Sequence, residues 1–123
     1  MQRHCPPIAF LLTGFSWLVL ASLLGLAILI GLVRGTPLPP WVRLVHAHAA
    51  LVGGMTQMIL GGFLAMMPPS HKTNAAQQDS HLQAFLGINA GTVAMLAGFW
   101  LHHYQTVGAA GLLVAGACLW ITY

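Results

Sequence analysis

Carboxylates are nearly absent from this chain: Asp79 is its single acidic residue, set against four Lys or Arg in 123 residues. Charged side chains make up 4% of the total, where a soluble domain carries roughly 25%. A water-exposed globule, whose surface needs charges of both signs spread over it, is thereby excluded. The net charge of +3, from Arg3, Arg34, Arg43 and Lys72 less Asp79, is also too thin for a nucleic-acid footprint, so no nucleic acid is expected as a partner. Cysteine is scarce as well. Cys5 and Cys118 are too few for a disulfide scaffold and read as free thiols, Cys118 as a small apolar core residue. Repeats and low-complexity tracts are missing, and the one sizeable hydrophilic stretch, 70–81, reads as a mobile loop.

What fills the chain instead is apolar sequence, 58% of the residues, with a mean hydropathy of +0.80. Four stretches, about 8–33, 41–67, 82–102 and 107–122, are free of acidic residues and separated by Pro, Gly and polar punctuation. At about 1.5 Å per residue the first three are long enough for a hydrocarbon core of roughly 30 Å, and the fourth is near the short limit. The expected fold is all-α, a four-helix bundle integral to the lipid bilayer, with 1–123 as a single transmembrane domain. The first stretch is too long for the apolar region of a signal peptide and is expected to be kept as a span. Four crossings put both termini and the loop after Pro68 on one face, side A. The Pro-rich segment 34–40 and the turn between the third and fourth helices fall on the other, side B. Lys and Arg divide evenly, Arg3 and Lys72 against Arg34 and Arg43, so charge does not set the orientation. Gly87 and Gly91 in the third helix and Ala50 and Gly54 in the second stand at the four-residue step that lets helix backbones approach closely in lipid.

Against one carboxylate stand seven histidines. His4, His71 and His81 fall in the side A tail and loop, where a solvated or helix-end role suffices. His46 and His48 lie one to two turns inside side B in the second helix, and His102 and His103 close the third helix at the same side. Ionisable residues within a span are costly and usually face the bundle interior or a cofactor. With no carboxylate to pair with, four imidazoles at one depth point to metal ligation, for which neutral imidazole suits haem iron, copper and zinc. Residues two apart on an α-helix differ in direction by about 200°. His46 and His48 therefore point to opposite sides of their helix and serve different sites; in a lone four-helix chain one of them would face lipid, which argues for an oligomer. His102 and His103, about 100° apart at a helix end, can both turn toward one ion.

The run His46-Ala-His48-Ala-Ala-Leu-Val-Gly-Gly-Met-Thr-Gln-Met-Ile-Leu-Gly-Gly-Phe-Leu-Ala-Met-Met-Pro68 resembles the haem-ligating helix of haem–copper oxidase subunit I and of the related NnrS-type haem and copper proteins. There a His near the outer surface opens a Gly- and Met-rich helix that ends in Met-Pro. The segment Phe99-Trp100-Leu101-His102-His103-Tyr104-Gln105-Thr106-Val107-Gly108 is similar to the adjacent-histidine segment that supplies two copper ligands in those oxidases. Family subunits consist of three four-helix units about a pseudo-threefold axis, so the resemblance, which covers the second to fourth helices, implies one such unit. It also implies a His-x-His helix with a haem on either side. In that reading His46 and His48 are axial ligands of haem b between subunits of a homotrimer. Either His46 of one chain and His48 of the next share one iron, or one of them binds iron while the other joins His102 and His103 around copper. The implied activity is electron transfer or binding of NO or O2, with an unidentified redox partner or quinol as donor. The implied location is a bacterial inner membrane, with the haem sites near the periplasmic face and the termini cytoplasmic.

Departures from the family pattern restrict the chemistry. The spans hold no Asp or Glu, only Thr13, Ser16, Ser22, Thr56, Gln57, Asn89 and Thr92 as polar groups, which argues against proton pumping. The active-site tyrosine of the oxidases has no match, since Tyr104 merely follows the His pair, so reduction of O2 to water by the chain alone is not expected. No Cys-x-x-Cys-His occurs, which excludes covalent c-type haem. Two other readings compete. One is a non-catalytic copper-handling membrane protein that uses the His quartet with Met55, Met58, Met66 and Met67, whose thioethers suit Cu(I). The other is a structural subunit whose histidines only form hydrogen bonds.

Overall fold

The computed structural model describes residues 7–67 and 75–121, and these form four helices. Helix α1 is Pro7–Val33, α2 is Pro40–Met66, α3 is Ala75–Trp100 and α4 is Tyr104–Ile121. All four are long and apolar enough to cross a membrane. The expected all-α membrane architecture is thus present among the described residues, with shifted boundaries. Helix α3 begins at Ala75, inside the segment expected to be loop, and ends at Trp100, before His102. Helix α4 begins at Tyr104, earlier than expected. His4, Cys5 and His71 lie outside the described residues.

Proline and a left-handed residue set the helix ends. Gly35, at φ 69, closes α1. Its N–H donates to the Leu32 carbonyl at 3.2 Å, and the N–H of Thr36 donates to that of Gly31 at 2.9 Å, the paired bonds of a Schellman motif. Pro40 opens α2 at a position where a missing N–H costs nothing. Met67, pressed by Pro68 out of the helical region, is extended at ψ 132 and ends α2.

Helix α2 is not the regular helix that its sequence suggests. Pro40–His48 and Thr56–Met66 are α-helical, but Ala49–Met55 between them is a π-helix. The reason lies in the phase of the buried face. Counted at about 100° per residue, the inward residues of the second half (Gln57, Gly61, Leu64) run ahead of those of the first (Val42, Ala49) by roughly 80°. That is close to what one extra residue contributes, and the wider i→i+5 turns absorb it. Thr56 Oγ1 donates to the carbonyl of Leu51 at 3.0 Å, five residues back, which follows the same pattern.

Helix α1 packs along the length of α2, the first half of α2 and its π segment meet α3, and α3 lies along α4. Glycine sets the two closest approaches. A Cβ on Gly54 would come within 2.5 Å of Leu18 on α1, and one on Gly91 within 2.5 Å of Val114 on α4. The small-residue steps therefore serve packing within the chain. Helices α1 and α4 form the edges of the assembly, and most of their large apolar side chains are exposed, as lipid contact requires. Phe10, Leu64 and Ile88 form a core toward side A, where the Phe10 and Phe85 rings meet edge to face at 5.1 Å. Met95, Phe99 and Ala110 form a second toward side B.

Between these cores sits an amide pair, one member buried and the other part-buried. Gln57 is fully buried; its Nε2 donates to the Gly53 carbonyl at 2.9 Å and to Asn89 Oδ1 at 3.1 Å. Asn89 Nδ2 donates to Gln57 Oε1 at 3.2 Å and to the Phe85 carbonyl at 2.9 Å, while Asn89 Oδ1 also accepts from Trp17 Nε1 at 3.1 Å. Every amide N–H of the pair is used, and three helices are joined. Ser16, Ser22 and Thr92 each donate to the carbonyl four residues back on their own helix. Among the described residues no buried side-chain N or O lacks a partner.

Candidate functional site

The start of α2, the end of α3 and the start of α4 meet at side B, and the four histidines singled out by the sequence lie there. Trp41 stacks on Trp100 at 6.3 Å with an interplanar angle of 18°, which brackets this end of the bundle. Below the stack, His46 and His48 are both half-buried on opposite sides of α2, as their spacing requires.

His46 faces α1. Its Nδ1 lies 2.8 Å from the carbonyl oxygen of Ala21, and its ring lies over Gly25, where a Cβ would come within 2.9 Å of His46 Cε1. His48 faces α3. Its Nδ1 lies 2.8 Å from the carbonyl of Leu44, one turn back on its own helix, and its ring packs on Phe99 at 4.6 Å between centroids. A carbonyl only accepts, so in each ring Nδ1 is the donor, and in the neutral imidazole the lone pair then belongs to Nε2. This is the state in which an imidazole binds a metal, with the second nitrogen held by a main-chain oxygen.

Each ring thus rests on its own chain while staying part-exposed. The expectation that one of these histidines would be left facing lipid is not met, and the need for an oligomer does not follow from their spacing alone. His102 and His103 differ from the in-span pair. They stand in the turn rather than in the helix, and both are exposed. The turn is again a Schellman motif: the N–H of His102 donates to Phe99 O at 3.3 Å and that of His103 to Gly98 O at 2.8 Å. His102 takes the left-handed position, φ 57, the only non-glycine to do so among the described residues. No three His, Cys, Asp or Glu among the described residues come together as a group able to hold a metal ion. The four imidazoles share one end of the bundle without forming one cluster within the chain.

An apolar groove of about 430 Å³ opens beside the site between α1 and α3, with Trp17, Trp41 and Trp100 among its walls. Cys118, in α4, is free. Sequence reasoning missed the residues that hold the imidazoles, Ala21, Gly25, Leu44 and Phe99. The pair Ala21 and Gly25 carried a signal, two small residues four apart in a helix otherwise rich in Leu. The Leu44 acceptor is a main-chain atom and left none. No family model, curated protein or solved structure matches the chain.

Proposed function

We propose that the chain is a haem b-binding membrane protein in which His46 and His48 are axial ligands, serving electron transfer or the binding of a diatomic gas. The observation that carries this reading is the pair of half-buried imidazoles whose Nδ1–H groups are both tied to main-chain carbonyls. Two anchored imidazoles at one depth of a bundle that has no carboxylate beside them suit iron ligation through Nε2. A bound haem supplies a one-electron couple and, where an axial position is open, a site for NO or O2.

The chain's own residues do the rest. His46 and His48 leave α2 on opposite sides and so serve separate irons, and a bis-histidine site needs His48 of one copy opposite His46 of another. The assembly that supplies this is a homotrimer, one four-helix unit to each third of an oxidase-like ring. In the alternative arrangement only one of the in-span pair binds iron, and the other joins His102 and His103, which stand at the same face, around copper. Side B is then the periplasmic side of a bacterial inner membrane.

One observation favours a second reading. The His46 bond to Ala21 ties α2 to α1 whether or not a cofactor is present, as a purely structural histidine would. The absorption spectrum of the protein purified after expression with haem supply decides between them. A Soret band with sharp reduced α and β bands is expected for bis-histidine ligation, and a broad spectrum that shifts with CO or NO for an open site. Absence of any Soret band rejects the haem reading and leaves the structural one.

A further inference from the structure

Two imidazoles of the same tautomer are held by different means. His48 takes its acceptor from its own helix, so its orientation travels with α2. His46 takes its acceptor from α1, twenty-five positions away in sequence, and lies against a residue there that has no side chain. The room at Gly25 is filled by the imidazole itself. A Cβ would stand 2.9 Å from Cε1, 3.4 Å from Nδ1 and 3.7 Å from Nε2 of His46. The whole outer edge of the ring, including the nitrogen left free, therefore lies over this glycine. A methyl group there moves the ring by a few tenths of an ångström and lengthens a bond that is now 2.8 Å.

We infer that Gly25, together with the Ala21 carbonyl, is a positioning residue for His46: α1 selects the Nδ1–H tautomer of this imidazole and aims its Nε2, while His48 is set without α1. The haem arm of the test below rests on the function proposed above; the tautomer arm does not.

The test uses the full chain in detergent micelles, first without haem and then titrated with it. Nitrogen-15 NMR of histidine-labelled protein reads the tautomers directly. Both in-span histidines are expected to be protonated at Nδ1 in the unaltered protein, a result that needs no variant, and an Nε2-protonated His46 would overturn the inference. Gly25→Ala is expected to turn His46 into a mixture of tautomers and leave His48 unchanged. Haem affinity at the His46 position should fall about 10-fold, the usual effect of disturbing the partner behind a ligand.

Two glycines serve as controls. Gly62 has nothing within 4 Å of its missing Cβ, so Gly62→Ala should move neither histidine. Gly14 meets α2 just as tightly, 3.0 Å from the Gly54 carbonyl and 3.1 Å from Met58, but away from His46. Should Gly14→Ala shift the His46 tautomer as far as Gly25→Ala does, Gly25 acts only through general packing of α1 on α2 and the inference fails. Should the tautomers behave as expected while no form takes up haem, the positioning of His46 stands and the haem reading falls.

Discussion

The two histidine pairs at side B are held in opposite ways. In α2 the backbone of His46 and His48 is ordinary helix, and the side chains are fixed through Nδ1. In the turn between α3 and α4 the side chains are exposed, and the backbone is what is constrained, with His102 at φ 57. The turn after α1 has the same hydrogen-bond design and uses Gly35 at that position, where the absence of Cβ avoids a clash. Holding a side chain there costs about 1–2 kcal/mol, in a chain that has 14 glycines. The side chains of the in-span pair are thus oriented by the fold itself. The turn pair carries an imidazole that the fold does not need for closing its helix.

Four measurements would break or sharpen that contrast. The largest effect is expected from the in-span pair. His46→Ala and His48→Ala should each remove or convert the haem spectrum, with affinity lower by 10-fold or more, on the order expected for disturbing a site's ligand sphere. His102→Ala and His103→Ala should leave the Soret band in place. Equal losses from all four would erase the distinction.

Next comes the amide pair on which the α2 framework rests. Gln57→Leu leaves Asn89 and its partners partly unsatisfied in a buried site and should cost about 1–3 kcal/mol in SDS unfolding. Adding Asn89→Leu should recover part of that loss, and simple additivity in the double-mutant cycle would deny that the two amides work as a unit.

The turn pair predicts a gain. His102→Gly should stabilise the fold by about 1 kcal/mol through relief of the left-handed backbone, and Gly35→Ala should destabilise it by a similar amount. Destabilisation by His102→Gly would mean that the imidazole makes a contact worth more than its strain.

The smallest effect is expected from deleting Ala50. A π-helix closes its bonds with one residue more than an α-helix, so removing one restores regular α2 while both halves keep their facing. Haem binding and the His46 tautomer should stay as in the intact chain. Deleting Leu60 instead rotates one flank by about 100°, away from Phe10, and should unfold the bundle.

Much of this architecture could be read without coordinates. Apolar length marked the four helices, and the 200° rotation between His46 and His48 placed them on opposite sides of α2. The glycine row of α3 lies against α4. What escaped was non-local or carried by the main chain. The π segment shows only as a phase change in the buried face, visible once Gln57 and Leu64 are known to point inward. The helix of α3 extends back through Ala75 because Ala and Gln favour helix more than their polarity suggests. The acceptors of the two imidazoles are carbonyl oxygens, which every residue possesses, so no residue type announces them.

The amide pair has a consequence beyond stability. Gln57 and Asn89 have no N–H left to offer, and the Ser and Thr hydroxyls described above are turned onto their own helices. These groups thus offer no free N–H or O–H to a proton path from side A. A redox centre at His46 and His48 would sit a short way into the membrane field and draw its electrons and any compensating protons from side B alone. Its turnover would leave the transmembrane voltage unchanged, as measured with a potential-sensitive dye in vesicles that hold the protein.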